Sequence, residues 1–240
     1  MFVPLKPNQN IGQNITWINP KFQIMVDTAD AQMQIKDIFY SLAILVGINL
    51  LVSLILIVYN LNPNKLLLRG IGIIIYLFPI YFLIKKYTLK PFENMNKPYI
   101  WKYYFIGSAI CCGINFPYSI WFRSGTVSQE YLLFLSRGHY GKIIYLLYLI
   151  ILFPVMEEIY FRGYFFRILR NRTDFFWAAL LSTIVFTIFH GSKVNILNIA
   201  IPGFIYAFVY ERTGSILISI LTHATNNTIW LFSSYLGTTG

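Results

Sequence analysis

The feature that most limits the fold of this chain is a series of long apolar blocks. An α-helix needs roughly 20 mostly apolar residues to cross the hydrocarbon core of a bilayer, and the blocks have about this length. They lack the alternation of apolar and polar residues that marks half-buried strands. The sequence therefore predicts an all-α fold, a polytopic transmembrane helix bundle with about seven spans. The blocks are Ile38 to Tyr59, Leu66 to Ile84, Tyr104 to Phe122, Ile143 to Leu169, Phe175 to Lys193, Val194 to Tyr210, and Ile216 to Tyr235.

The composition indicates a lipid solvent and excludes one class of partner. Of the 240 residues, 57% are hydrophobic and 12% are charged, and the net charge is +10. The lysines and arginines lie in short segments between the apolar blocks, where residues that anchor helices at a membrane surface belong. This is not the clustered basic footprint of a nucleic-acid-binding domain. We therefore expect a lipid bilayer as partner and no nucleic acid.

Two basic loops predict how the chain is oriented. Five lysines lie in residues 85–103 and three arginines in residues 167–172, and the positive-inside rule places such loops in the cytoplasm. With seven spans the N-terminus is then cytoplasmic, although Arg123, Arg137 and Lys142 fall on the opposite side. The first 37 residues lack the apolar core of a cleavable signal peptide. The richness in Ile, Lys and Asn favours a multi-pass protein of a bacterial plasma membrane.

Two adjacent carboxylates lie inside the fourth apolar block. A charged group within hydrocarbon costs several kcal/mol and is kept mostly where it pairs with a partner or performs chemistry. Glu158 and Arg162 are four residues apart on one helical face, so we expect them to form an ion pair. Glu157 is then the freer carboxylate of the two.

Further polar residues on two other blocks are placed to meet Glu157. His190 lies near the end of the fifth block, one helical turn after Phe186, and His223 and Asn227 share one face of the last block. Glu157 and His190 are almost equally distant in sequence from the turn near Asp174, so an antiparallel helix pair brings them to similar depth. Each residue alone could be structural, but together they predict a functional site.

These residues carry a resemblance to a known family. Glu157-Glu158-x-x-x-Arg162, Phe186-x-x-x-His190 and His223-x-x-x-Asn227 resemble, in order, the motifs of the CAAX protease and bacteriocin-processing family, also called CPBP or Abi. The motifs cover about the last third of the chain, and their spacing of four favours Asn227 over the neighbouring Asn226. The resemblance implies an intramembrane endopeptidase of the glutamate type without a cofactor. Its substrate would be a membrane-associated peptide or protein, such as a prenylated CAAX-type peptide or a bacteriocin or signal-peptide precursor, sometimes with a role in immunity.

The site residues can be given roles in peptide hydrolysis, which needs an activated water, a proton for the leaving amine and donors for the oxyanion. We assign Glu157 as the general base and His190 as its water-positioning partner, as the resemblance also implies. His223 and Asn227 are then oxyanion donors. Glu158 and Arg162 support the orientation of Glu157.

Hydropathy and the prolines of the basic loop divide the chain into three parts, of which the resemblance concerns the last. Residues 1–37 form a polar N-terminal segment, and residues 38–103 form an accessory pair of transmembrane helices with a basic loop that contains Pro91 and Pro98. Residues 104–240 form the catalytic transmembrane core.

Other chemistries stay open at this point. His190, His223 and Glu157 could bind zinc, although the HExxH signature is missing. Cys111 or Cys112 could act as a nucleophile with a histidine, although neither has a polar neighbour in sequence that would lower its pKa. The same buried groups could instead serve an ion or solute transporter, or a catalytically idle immunity or scaffold protein that binds a peptide.

Overall fold

The computed structural model describes residues 34–58, 77, 80, 81, 94–121, 138–190 and 196–239. Over these ranges the regular secondary structure is helical, and no strand occurs in them. The predicted all-α class is confirmed for this part of the chain. Most of the predicted span Leu66 to Ile84, and all but the last few residues of the polar N-terminal segment, lie outside the described residues.

The described helices follow the predicted apolar blocks closely. They are α1 (Ile35–Val58), α2 (Pro98–Trp121), α3 (His139–Arg170), α4 (Phe175–Phe189), α5 (Ile196–Thr213) and α6 (Ile216–Thr239). The largest difference is at α2, which begins at Pro98 rather than at Tyr104. Proline is favoured at the first position of a helix, where its missing N–H costs nothing. The predicted division between residues 103 and 104 therefore falls inside a helix.

Local sequence explains where the helices of the site begin and end. The side chain of Asp174 caps α4 by accepting a hydrogen bond of 3.0 Å from the backbone N–H of Trp177, as N-cap carboxylates commonly do. After α5, Gly214 has a φ of 66°, and its N–H donates to the carbonyl of Tyr210 at 2.8 Å. Glycine suits this left-handed position because it has no side chain to clash. The α5–α6 connection is therefore short, which makes the two helices neighbours.

Helix α3 is not a regular α-helix throughout. Two π-helical stretches, Tyr148–Leu152 and Ile159–Phe166, lie on either side of an α-helical segment, Phe153–Glu158. We call Phe153–Glu158 the carboxylate segment because it ends in Glu157 and Glu158. Widened π turns within α-helices occur frequently at functional sites. The two carboxylates thus lie where the helix changes its winding.

The helices pack around α3 and α6. A buried cluster joins Met156, Tyr160 and Phe161 of α3 to Phe186 of α4 and Tyr206 of α5. Helix α1 adds Ile38 and Leu45 to this cluster, and the hydroxyl groups of Ser41 and Tyr160 form a hydrogen bond of 2.9 Å. The predicted accessory region therefore contacts the core directly.

Helix α2 approaches α5 and α6 closely at Gly107. A Cβ atom at this position would lie 2.6 Å from Cγ2 of Val209 and 3.2 Å from Cγ2 of Thr222. Close packing through small residues is typical of helices that associate in membranes. Gly107 therefore sets the distance between α2 and the other two helices.

Two described helices, Ile35–Val58 and His139–Arg170, are long and apolar enough to cross a membrane by length and composition. Phe175–Phe189 is apolar but shorter. On α1, Phe39, Leu50 and Ile57 expose more than half of their surface, as side chains that face lipid would. The count of seven spans stays a prediction.

Candidate active site

Both oxygens of the second carboxylate of α3, Glu158, have bonding partners in the protein interior. Its Oε1 lies 3.1 Å from a guanidinium nitrogen of Arg162 and 2.9 Å from Nδ1 of His223. Its Oε2 accepts a hydrogen bond of 2.6 Å from the hydroxyl of Ser219. The predicted ion pair between Glu158 and Arg162 is confirmed, and both side chains are completely buried. A buried charge of this kind is tolerated because donors surround it.

Arg162 is held on its other side by the backbone and by aromatic rings. One of its terminal nitrogens donates to the carbonyl of Gly203 at 2.7 Å. Its guanidinium carbon lies 4.5 Å from the ring centre of Phe186 and 5.3 Å from that of Tyr206, within the range of cation–π attraction. A Cβ at position 203 would stand 3.1 Å from Phe186 and 3.4 Å from Arg162. The missing side chain of Gly203 gives Arg162 and Phe186 the room to pack there.

The first carboxylate, Glu157, has longer contacts of a different kind. Its Oε2 lies 3.8 Å from Nε2 of His190 and 3.7 Å from Nε2 of His223. These separations exceed a normal hydrogen bond of about 2.7–3.2 Å. Polar groups beyond about 3.5 Å are commonly bridged by a water molecule. The arrangement therefore provides three polar atoms that one water molecule can contact together.

Access to this position lies on the His190 side. The side chain of His190 is 28% exposed, whereas that of Glu157 is 3% exposed. His190 is the C-cap residue of α4, so its ring stands where the helix ends rather than among packed helices. The three groups therefore form a buried site with one more open edge.

Hydrogen bonds fix which nitrogen of each imidazole faces Glu157. Nδ1 of His190 lies 2.8 Å from the carbonyl of Phe186, and a carbonyl can only accept, so this nitrogen carries the proton. Nε2 of His190 is then free to accept from water when the ring is neutral. Nδ1 of His223 likewise donates to Glu158, so Nε2 of His223 carries a proton only in the imidazolium form.

The ring of His223 is also held by Tyr206. The two rings stack with centroids 4.5 Å apart and planes tilted by 18°. The hydroxyl of Tyr206 is hydrogen-bonded to Asn226, which also accepts from the side-chain amide of Asn115. Asn115 belongs to α2 and is buried. The position of His223 thus depends on α5, and through Asn226 on α2.

The two adjacent asparagines of α6 have different partners. Asn226 faces Tyr206 and Asn115, whereas the side-chain amide of Asn227 donates to the backbone carbonyl of Leu149 on α3 at 2.9 Å. The structure therefore brings Glu157, His190 and His223 together and binds Asn227 to the backbone of the helix that carries Glu157. The role of Asn227 as an oxyanion donor stays a prediction.

Sequence reasoning missed several residues of this site. Ser219 precedes His223 by four residues, so the spacing Ser219-x-x-x-His223-x-x-x-Asn227 was a signal that could have identified it. Gly203, Tyr206 and Asn115 carry no comparable signal. An apolar block does not indicate which of its tyrosines or glycines contacts a charged group.

The structure also describes the residues on which the zinc and cysteine alternatives depend. Among the described residues, no group of three His, Cys, Asp or Glu side chains is arranged to hold a metal ion. Cys111 is completely buried within the core cluster that contains Met156 and Tyr160, and Cys112 is partly buried. Chelator sensitivity and cysteine substitution test these two alternatives directly.

With this geometry established, the chain can be compared with known proteins. Residues 139–229 match the family model described as "Type II CAAX prenyl endopeptidase Rce1-like". This part of the chain is similar to that family. The predicted resemblance is thereby confirmed, and the matched residues run from the start of α3 into α6. They include Glu157, His190 and His223.

A curated relative of the Rce1-like region points to the same class. A Bacillus subtilis (strain 168) protein named "Putative membrane peptidase YdiL" is 40% identical over 75 residues, which are 31% of this chain and 31% of that protein. The match thus spans less than a third of the relative's length. No solved structure matches the chain. Together with the apolar helices of the described residues, the two matches support a membrane protein that resembles proteases.

Proposed function

We propose that this protein is an intramembrane endopeptidase that hydrolyses a peptide bond by means of a water molecule activated by Glu157. The observation that carries the proposal is the approach of two imidazole Nε2 atoms to one carboxylate oxygen, at 3.8 Å and 3.7 Å. A water molecule between them would contact a base and a second acceptor at once. The Rce1-like match and the peptidase name of the relative support the same reaction class.

The proposed reaction follows from the bonding of each group. Glu157 removes one proton from the water while Nε2 of His190 accepts its second hydrogen and thereby orients its lone pair. The hydroxide attacks the carbonyl carbon, the carbonyl π bond opens, and negative charge develops on its oxygen. Glu157, now protonated, then gives its proton to the leaving nitrogen as the C–N bond breaks.

The oxyanion requires a hydrogen-bond donor. His223 provides one from Nε2 when its ring enters the reaction as an imidazolium, with the Nδ1 proton bound to Glu158. Removal of one oxyanion donor typically costs about 10²–10³-fold in kcat. The second N–H of the Asn227 amide is a further predicted donor. Arg162 pairs with the same oxygen of Glu158 that binds His223.

The substrate class is proposed from the location of the site. The groups lie on helices α3, α4 and α6. Helix α3 is long and apolar enough to cross a membrane and α4 is a shorter apolar helix, so a substrate that reaches the site comes from the bilayer or its surface. We therefore infer a membrane-associated peptide or protein as substrate, either a bacteriocin or signal-peptide precursor or a CAAX-like peptide. The proposed setting is a bacterial plasma membrane with the N-terminus in the cytoplasm and about seven spans.

A comparison of three strains tests the proposal. The native host would express the wild type, Glu157→Gln or Glu211→Gln, and the matured or shed membrane peptides would be compared by mass spectrometry. Glu211 is the matched control because it is a partly buried carboxylate bonded to Arg170, outside the site. We expect peptides that the wild type and Glu211→Gln produce and Glu157→Gln does not. The absence of any difference between wild type and Glu157→Gln would overturn the proposal.

Three further measurements separate the alternatives. Loss of cleavage by the purified protein after chelation, with recovery on adding zinc, would support a zinc hydrolase instead. Retention of the cellular phenotype by the double variant Glu157→Ala, His190→Ala would indicate an idle immunity or scaffold protein. Loss of flux in vesicles with Glu157→Ala, without any cleavage by the wild type, would indicate a transporter.

A further inference from the structure

The backbone carbonyl of Leu149 on α3 receives neither an α-helical nor a π-helical hydrogen bond. The N–H of Phe153 could close an α-helical bond to it, but this N–H donates to the carbonyl of Tyr148 instead. The next residue, Pro154, could close a π-helical bond, but proline has no N–H. Leu149 is partly buried, and a backbone carbonyl that is shielded from water and has no donor costs free energy. Leu149 therefore needs a donor from another element.

That donor is the side-chain amide of Asn227, which lies 2.9 Å from the Leu149 carbonyl. Asn227 follows His223 by one turn on α6, so α6 contacts α3 at two places. His223 binds Glu158 at the end of the carboxylate segment, and Asn227 binds Leu149 in the π-helical stretch just before the segment begins. The two contacts lie before and after Glu157 in the sequence of α3.

The second π-helical stretch is held in the same manner. The hydroxyl of Ser182 on α4 donates to the carbonyl of Phe161 at 3.2 Å. Each widened stretch of α3 thus has a backbone carbonyl bound by a polar side chain of another helix. The rotation of the carboxylate segment about the helix axis depends on how many residues each stretch accommodates. Side chains that hold these stretches therefore control where Glu157 points.

We propose that Asn227 is a positioning residue, which fixes the rotation of the carboxylate segment by binding the carbonyl that Pro154 leaves without a helical donor. Without this bond, the stretch Tyr148–Leu152 can wind differently and turn the Glu157 carboxylate away from the two imidazoles. The effect on catalysis rests on the proposed function. The effect on the helix does not.

A double-mutant cycle distinguishes this role from that of an oxyanion donor. Pro154→Ala restores an N–H that can bond to the Leu149 carbonyl, so it removes the need for Asn227. We expect Asn227→Ala to lower kcat about 100-fold with little change in KM, the usual cost of misplacing a catalytic group by about 1 Å. In the Pro154→Ala background the same substitution should cost less than about one tenth of that loss. A residue that acts only as an oxyanion donor would cost the same in both backgrounds, and that outcome would overturn the proposal. The loss that remains in the Pro154→Ala background measures what the second N–H of Asn227 contributes to the oxyanion.

Thermal unfolding of the purified protein in detergent provides a readout that needs no activity. Asn227→Ala should lower the Tm more in the wild-type background than in Pro154→Ala, whereas the control Asn226→Ala should lower it equally in both because Asn226 binds Asn115 and not α3. Equal Tm losses for Asn227→Ala in both backgrounds would contradict the proposal. If no variant cleaves any substrate, the proposed function fails while this measurement still tests the bond. Pro154→Ser, which also restores the N–H, repeats the cycle if Pro154→Ala does not fold.

Discussion

The two neighbouring carboxylates of α3 are surrounded in opposite ways. Glu158 has three partners within 3.1 Å, whereas the imidazole nitrogens nearest to Glu157 are 3.7 Å and 3.8 Å away. His223 joins the two surroundings because one of its nitrogens faces each carboxylate. The comparison teaches that proximity alone does not identify the reactive group. The group with its bonds already made supports the fold, and the one with space for a water molecule is suited to chemistry.

Glu157→Gln should have the largest effect on activity. The amide keeps the size of the side chain but cannot accept a proton from water, and loss of a general base typically costs about 10²–10⁴-fold. Cleavage of the substrate found by mass spectrometry measures this loss, and the Tm in detergent should stay close to that of the wild type. Full activity of Glu157→Gln would show that Glu157 is not the reactive carboxylate of the pair.

Arg162→Leu should instead damage the fold. It leaves Glu158 buried without its cation, and breaking a buried ion pair costs about 3–5 kcal/mol. Arg170→Leu is the matched control because the Arg170–Glu211 pair keeps some exposure to solvent, whereas Arg162 and Glu158 have none, so it should cost less than Arg162→Leu. Both values can be measured by unfolding in mixed micelles. Equal losses for the two arginines would show that Glu158 does not depend on its charge partner.

His190→Ala tests the comparison at the more exposed edge of the site. The ring orients the water but packs less deeply than Glu157, so we expect about a 10²-fold loss of kcat with a Tm shift of only a few degrees. Steady-state kinetics and thermal unfolding on the same preparations provide both values. A large loss of stability with unchanged kcat would show that His190 supports the fold rather than the reaction.

Tyr206→Phe should have the smallest effect. It keeps the ring stacked on His223 and removes only the hydrogen bond to Asn226, which is worth about 1 kcal/mol. Tyr206→Leu removes the stacking as well and should lower kcat further. If the two variants have the same kcat, the stacked ring does not hold His223 in place.

Much of the site could be predicted from the sequence because helix geometry determines which of its residues lie close together. The spacing of four placed Glu158 beside Arg162, and counting outward from the turn at Asp174 placed His190 at the depth of Glu157. Both inferences use only helix geometry, which the solvent does not change. Helix starts were also close, except where Pro98 extends α2 beyond its apolar block.

The contacts between helices could not be predicted in the same way. Periodicity placed Asn227 on the face of His223 but could not show that this face meets the backbone of α3. The π-helical stretches were not foreseen either, and the side chains that bind their carbonyls, Ser182 and Asn227, lie on other helices. Which of two adjacent asparagines faces which neighbour is decided by packing, and a single sequence does not contain that information.

The close approach at Gly107 has a consequence for how the bundle stays assembled. In hydrocarbon, apolar helices gain little by leaving lipid for one another, so their adhesion depends on surfaces that fit. Val209 is completely buried, and its branched side chain has little freedom to yield to a new neighbour. A single methyl group added at residue 107 would act as a wedge that moves α2 outward and draws Asn115 away from Asn226. The polar bridge from α2 to the His223 ring thus depends on an absent side chain about two turns away.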